Sequence, residues 1–333
     1  MNRAPADRRR FLKRRLSSPY SKRELAGVVW RNFLGPSRKS GPALPFMPTT
    51  SEWSRGEGEA VVVFSGDWMP TGGRKIRFSE GLLQFFSSAD FLVANFEGVS
   101  LPPPHSVVMQ QVHGKETLEA LTSLAPPHRI VLSCANNHAA DHGSNLFEKH
   151  LRNLESLGFV VAGSRARPVV EPLAGIRVAA LTQWSNHPGP FLADLKNEKE
   201  LVRDGVFNIL YPHWGFELEL YPRSLLVETA RQWLTRWDLV VGHHSHTPAP
   251  VAALDSPAGR KPVAFSLGDF VTCSRQRKNR WGIVVRVCLG KDAKGTFRLR
   301  RLDWRFCVTA PRGRELFVRL ADRCPYFAAN TGP

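Results

Sequence analysis

The chain has 333 residues, 42% of them hydrophobic, with 46 Lys and Arg against 29 Asp and Glu and a formal net charge of +17. That length and apolar content suit one α/β domain with tails better than two equal domains. The five cysteines are odd in number, form no CxxC and lie mostly in apolar runs, so they read as reduced core residues, and no run of about eighteen apolar residues occurs, so a membrane-spanning helix is not expected.

Residues 1–57 read as a basic tail, because the first forty hold twelve Lys and Arg against Asp7 and Glu24. Such a tail is either a solvated, disordered arm or is drawn by salt-sensitive attraction to anionic lipid, nucleic acid or an acidic polymer. Arg8 to Lys13 resemble a twin-arginine export motif, but Arg14, Arg15, Lys22, Arg23 and Glu24 interrupt the hydrophobic region that must follow. The expected location is therefore cytoplasmic, peripheral to the membrane, with export as the alternative. Leu25 to Leu34 is a short apolar stretch that suits an interfacial helix.

From Ala60 the pattern becomes strand, polar turn and amphipathic helix in alternation. Strands are predicted at 60–65, 91–95, 130–133, 178–181, 206–211, 239–241 and 263–266, and helices at 81–88, 116–124, 146–157 and 225–237. This order predicts an α/β architecture with a largely parallel sheet, closed by a hairpin from 282–289 and 297–306. The predicted domain spans 58–310, with 311–333 as a C-terminal extension.

Five of the apolar runs end directly in unusual polar residues. The runs lead into Gly66-Asp67, Asn95-Phe96-Glu97, Asn136-Asn137-His138, Pro212-His213 and Gly242-His243-His244-Ser245-His246. In α/β sheets, ligands bind at the carboxyl ends of strands, so these residues can converge. Carboxylate oxygen and imidazole nitrogen suit zinc, manganese or iron without any thiolate. A carboxylate bridging two such ions leaves a water to attack phosphorus or carbonyl carbon, with a nearby histidine as proton donor. Taken singly, Asp67 and Glu97 also read as turn or cap residues, Asn136 and Asn137 as left-handed turn residues, and His213 as a satisfied core histidine. Three imidazoles in four positions, by contrast, seldom serve packing alone.

Six segments resemble the CapA-type capsule and poly-gamma-glutamate synthesis family, of the calcineurin-like metallophosphatase superfamily. They are GDWM (66–69), NFEG (95–98), ANNHAADHG (135–143), HWGFE (213–217), GHHSH (242–246) and FSLGDF (265–270), in the family's order. The resemblance implies a four-layer α/β/β/α sandwich with mixed sheets. It implies Asp67 and His246 as ligands of a first metal, Glu97 as the bridging carboxylate, Asn137, His213 and His244 as ligands of a second metal, and His138 as catalytic acid. Asn95, Asn136, Arg74, Glu217, His243 and Asp269 are then substrate contacts, Arg74 equally reading as part of a solvated loop. Met69 stands where superfamily phosphatases carry a histidine, and Glu97 where they carry an aspartate, so the Asp67 position is the weaker of the two.

These features lead to one expected function and two alternatives. The first is a capsule-synthesis protein acting on an acidic polymer or phosphorylated substrate, beside membrane-embedded biosynthesis subunits or an anionic membrane surface. The others are a metal-dependent phosphoesterase unrelated to capsule and a non-catalytic polyanion-binding module. Specific nucleic-acid recognition lacks any motif.

Overall fold

The computed structural model describes residues 18–38, 41, 43–104, 106, 107 and 109–327. The first described helix, α1 (Lys22–Leu34), starts where the Ser21 side chain accepts the Glu24 N–H and stops at Gly35, whose φ is 100°. Strands β1 (Thr50–Glu52), β2 (Ala60–Trp68) and β3 (Lys75–Phe78) precede α2 (Glu80–Ser87) and β4 (Phe91–Phe96). Then come α3 (Lys115–Leu124), β5 (Ile130–Ser133), α4 (Ser144–Ser156) and β6 (Val160–Ala162). Strands β7 (Val169–Leu173), β8 (Ile176–Thr182) and β9 (Phe207–His213) lead to α5 (Ser224–Trp233) and β10 (Leu239–Val241). The chain continues through β11 (Val251–Ser256), β12 (Gly259–Ala264), β13 (Asp269–Val271), β14 (Trp281–Lys291), β15 (Phe297–Arg312) and β16 (Glu315–Ala321).

The strands form two sheets. One has the order β3-β16-β15-β14-β2-β4-β5-β6, with β1 on β15 and β13 on β2; the other runs β11-β12-β10-β9-β8-β7. Side chains alternate between the two faces of each strand. Val62 and Phe64 of β2 and Phe91 and Val93 of β4 therefore meet Ile209, Tyr211 and Val241 of the other sheet in a central core. Val63, Leu92 and Ala94 point the opposite way, onto Leu82 of α2, Leu121 of α3 and Phe147 of α4. On the far side, Leu210 and Val240 pack against Leu226 and Ala230 of α5. The result is the four-layer α/β/β/α sandwich.

The sheets are mixed, as the resemblance implies and more so than the order of the runs alone predicts: β2, β4, β5 and β6 run parallel, and the β14–β15 hairpin enters the large sheet antiparallel to β2. Two expectations need correction. Residues beyond 310 are not an appendage, because β16 pairs with both β15 and β3 and buries Leu316 and Val318. The tail is ordered from Ser18 to Arg38, where α1 docks on the domain: Arg223 makes paired bonds to Glu24, and Arg31 Nε donates to the Glu217 carbonyl at 2.7 Å. The arginine run at 8–10 lies outside the described residues. Among the described residues, no helix is long and apolar enough to cross a membrane.

Candidate metal centre

The parallel strands of both sheets end at one edge of the central core, and the sequence-predicted polar residues sit there. Asp67 ends β2, Asn95 and Glu97 close β4, Asn136 to His138 follow β5, His213 ends β9 and His243 to His246 follow β10. Close backbone approach makes this convergence possible. A Cβ on Gly66 would lie 1.9 Å from the Gly268 carbonyl oxygen, so only glycine lets β2 pass the segment that brings in Asp269. The sheets are then tied at the site itself, where the His244 N–H donates to Asp67 Oδ2 at 3.0 Å.

The hydrogen bonds fix most of the imidazoles. His138 Nδ1 donates to Asp141 Oδ2 at 2.7 Å, and His246 Nδ1 donates to Asp269 Oδ1 at 2.8 Å. His213 Nε2 donates to Asn137 Oδ1 at 2.9 Å, leaving its Nδ1 to face His243 Nδ1 at 2.9 Å. His243 Nδ1 also lies 3.1 Å from Asp67 Oδ1, which Asn95 Nδ2 approaches at 2.8 Å. Asn136 Nδ2 supports that pair from below, donating to the Phe96 carbonyl at 2.9 Å. Glu217 accepts from the Tyr20 hydroxyl at 3.2 Å.

What remains is a set of buried lone pairs without protein partners. Glu97 Oε1, His243 Nε2 and His244 Nδ1 are buried and have no hydrogen bond. Glu97 Oε1 lies 3.9 Å from His138 Nε2 and 3.8 Å from His246 Nε2. These gaps are too long for hydrogen bonds. They are within the roughly 4.4 Å that two ligand bonds of about 2.0–2.2 Å to one cation can span. Donor atoms of Asp67, His213 and His243, and those of Asp67, His246 and Asp269, lie within 4.8 Å of one another, so each group can hold a divalent cation.

The electrostatics fit a site short of positive charge. Burial raises the Glu97 carboxyl well above the usual range, and the nearby charges of Asp67, Asp269 and Glu217 add to this against the opposing pull of His246. Burial likewise lifts Asp269 to about 6 despite its bond to His246. Burial works against the charge of Asp67 too, but His243, His246 and Asn95 outweigh it and hold that carboxyl below its ordinary value. Burial and neighbouring imidazoles push His213 and His244 well down, keeping them neutral as ligation requires. Burial opposes charge on His246 as well, yet Asp269 and Glu97 raise it well above the ordinary value. Carboxylates crowded this closely gain from any cation.

The placement differs from the sequence reading in two respects. His243, expected as a substrate contact, shares a donor group with Asp67 and His213, while His244 turns toward Tyr20. The cause is the backbone: His244 and His246 adopt φ of 102° and 54°, which breaks the alternation a strand would impose. Asp269, also expected to meet substrate, is hydrogen-bonded to His246 instead. Arg74 lies in the turn after Thr71, and among the described residues it makes no hydrogen bond or ion pair with the cluster. Sequence reasoning missed Tyr20, Asp141, Asn186 and His187. Asp141 had a signal, lying three residues after His138 within the 135–143 segment. Asn186 also had one, in the polar Ser185-Asn186-His187 turn, and it approaches both Asn137 and His138. Tyr20 had none, being 224 residues from its partner His244.

The family model "Bacterial capsule synthesis protein PGA_cap" matches residues 61–274. The chain is 24% identical over 255 residues to the PGA biosynthesis protein CapA of Bacillus subtilis, a match covering 68% of this chain and 64% of that protein. A hypothetical protein from Thermus thermophilus superposes with a TM-score of 0.43 at 16% identity, over 74% of this chain and 98% of its own. A candidate 5'-nucleotidase from Staphylococcus aureus, solved with alpha-ketoglutarate, gives a TM-score of 0.41 at 12% identity, over 81% of this chain and 56% of its own. With the family model spanning most of the sandwich and every segment of the polar cluster, this chain belongs to the bacterial capsule synthesis protein family.

Proposed function

We propose that this protein is a metal-dependent hydrolase or transferase in the production of a capsule-type acidic polymer such as poly-gamma-glutamate, acting on a phosphorylated or polyanionic substrate. The observation that carries the reading is the buried, unpartnered Glu97 Oε1, faced by two imidazole nitrogens at 3.8 and 3.9 Å. An oxygen in that setting costs several kcal/mol unless something positive meets it.

A divalent cation held here would supply Lewis acidity at a phosphoryl or carbonyl oxygen. Asp67, Glu97, His246 and Asp269 would hold it, with His213, His243 and His244 on the second side. Their nitrogen and oxygen donors suit zinc, manganese or iron. His138 has the arrangement of a general acid: Asp141 fixes Nδ1, and Nε2 points to the cluster, where it would deliver a proton to a leaving oxygen. The basic N-terminal residues and α1 would keep the chain at an anionic membrane surface, near membrane-embedded biosynthesis subunits.

The test is metal content and turnover measured together. Purified protein should carry close to one transition metal per chain, and His246→Ala should lose most of it. Cleavage of a model phosphodiester should then fall about 100-fold or more in His138→Asn with metal retained. Metal far below stoichiometric in the native protein, and unchanged in His246→Ala, would sink the reading. Full metal with no turnover on any phosphoryl substrate would reduce it to a polyanion-binding module.

A further inference from the structure

A cavity of about 430 Å³ is lined both by polar His138, Asp141 and Glu217 and by apolar Leu25, Val29 and Phe33 of α1. These three positions are spaced by four and lie in one stripe along the helix. They remain 44%, 49% and 83% exposed, although α1 is fastened to the domain by Arg31 and Glu24. A helix docked this firmly would ordinarily turn its apolar stripe onto the core; this one presents it to a cavity that reaches His138, whose Nε2 lies 3.9 Å from Glu97 Oε1. Residues 1–17 are rich in arginine and poorly suited to fill an apolar cavity. A purely polar polymer would likewise gain nothing from Val29 and Phe33.

We propose that the cavity binds the hydrocarbon chain of an amphiphilic substrate whose phosphoryl head group lies at Asn137 and His138. The substrate class is a phosphate ester of a long alkyl or isoprenoid alcohol. The head-group half rests on the metal-dependent reading above, because Asp141 and Glu217 repel a phosphoryl group unless a cation offsets them. The chain half rests on the cavity alone. Trp30 and Leu34, 66% and 69% exposed on the same helix, lie outside the cavity lining.

Calorimetric titration of the full chain with ethyl, butyl, hexyl and decyl phosphate, with and without Mn²⁺ and below micelle formation, tests this. Affinity should rise about fourfold per buried methylene and level off once the chain fills the cavity. Val29→Asp and Phe33→Asp, both at solvent-accessible helix positions, should abolish the dependence on chain length, whereas Trp30→Asp should keep it. Equal affinity for ethyl and decyl phosphate in the native protein would overturn the proposal, as would equal damage from Trp30→Asp and Val29→Asp, which would indicate adsorption to the helix. Decanol binding as tightly as decyl phosphate would overturn the head-group half. The Mn²⁺ arms separate the two readings: no Mn²⁺ increment for ethyl phosphate defeats the metal reading, whereas a Mn²⁺ increment at every chain length with affinity that does not grow along the series defeats only this one.

Discussion

The Tyr20 hydroxyl lies 2.6 Å from His244 Nε2 and 3.2 Å from Glu217 Oε1. A phenol has one proton, and the Glu217 carboxylate can only accept, so Tyr20 donates to Glu217 and receives the Nε2 proton of His244. That relay sets the tautomer of His244 and leaves its buried Nδ1 as a lone pair with no partner. Partners of this kind orient metal-ligating histidines, and their loss typically costs 10- to 100-fold in affinity. Tyr20→Phe should therefore weaken metal binding about tenfold or more, in a protein whose circular dichroism and melting are unchanged. Equal or tighter binding would mean that Tyr20 only covers the cluster.

Asp141 touches no expected reacting atom; it acts through His138. Asp141→Asn replaces the acceptor of the Nδ1 proton with a side chain that can present an amide hydrogen, so the imidazole loses its fixed orientation. Turnover on a model phosphodiester should fall by about 10- to 100-fold in kcat with KM little changed, less than in His138→Asn. A rise in KM with kcat intact would make Asp141 a substrate contact instead.

Much of the frame was readable because buried strands declare themselves as short apolar runs, and because each run that feeds the site ends in a polar residue that packing does not need. The short edge and pairing strands β3, β7, β11 and β16 escaped, since half-exposed sequences such as Val169–Leu173 carry no clean period. Within the site, position along the chain foretold which residues gather but not which atoms face each other. His243 joins the donor group of Asp67 and His213 while His244 turns toward Tyr20, and the positive φ angles at His244 and His246 behind this are a feature that neighbouring residues do not encode. Tyr20 was hidden for a different reason: a basic, Pro-rich and Ser-rich flank looks like a tail, and what fastens it are long-range bonds such as those from Arg223, Arg31 and Lys278.

His150, buried on α4, is held neutral: burial drives its pKa to about 3, and its Nδ1 accepts the Ser100 N–H at 3.2 Å. In the unfolded chain the same group titrates near 6.5. Between these values the unfolded state binds more protons, so stability is present above about pH 6.5 and is lost as pH falls toward 3. His113, depressed to about 4 chiefly by burial, acts in the same direction. Urea midpoints at pH 7.5, 5.5 and 4.5 should decline in the native protein and decline less steeply in His150→Gln. Parallel pH slopes for the two proteins would show that His150 is not a source of the acid sensitivity.

Gly66 offers the most severe test of how the site is assembled. Its hypothetical Cβ meets backbone, the Gly268 carbonyl at 1.9 Å, and not a flexible side-chain end that could swing away. The same contact region carries the Asp67 N–H bond to the Gly268 carbonyl at 2.9 Å and the pairing of Asp67 with Asp269. Gly66→Ala must therefore part β2 from β13 or distort both, at a cost of about 3 kcal/mol or more. Because Asp67 and Asp269 ride on those two strands, metal content should fall together with the melting temperature. Gly81→Ala, on α2 with open space around its Cβ position, should be neutral to slightly stabilising. If Gly66→Ala instead melts like the native protein and keeps its metal, β2 and β13 do not need this close approach, and the geometric link between glycine and metal centre is wrong.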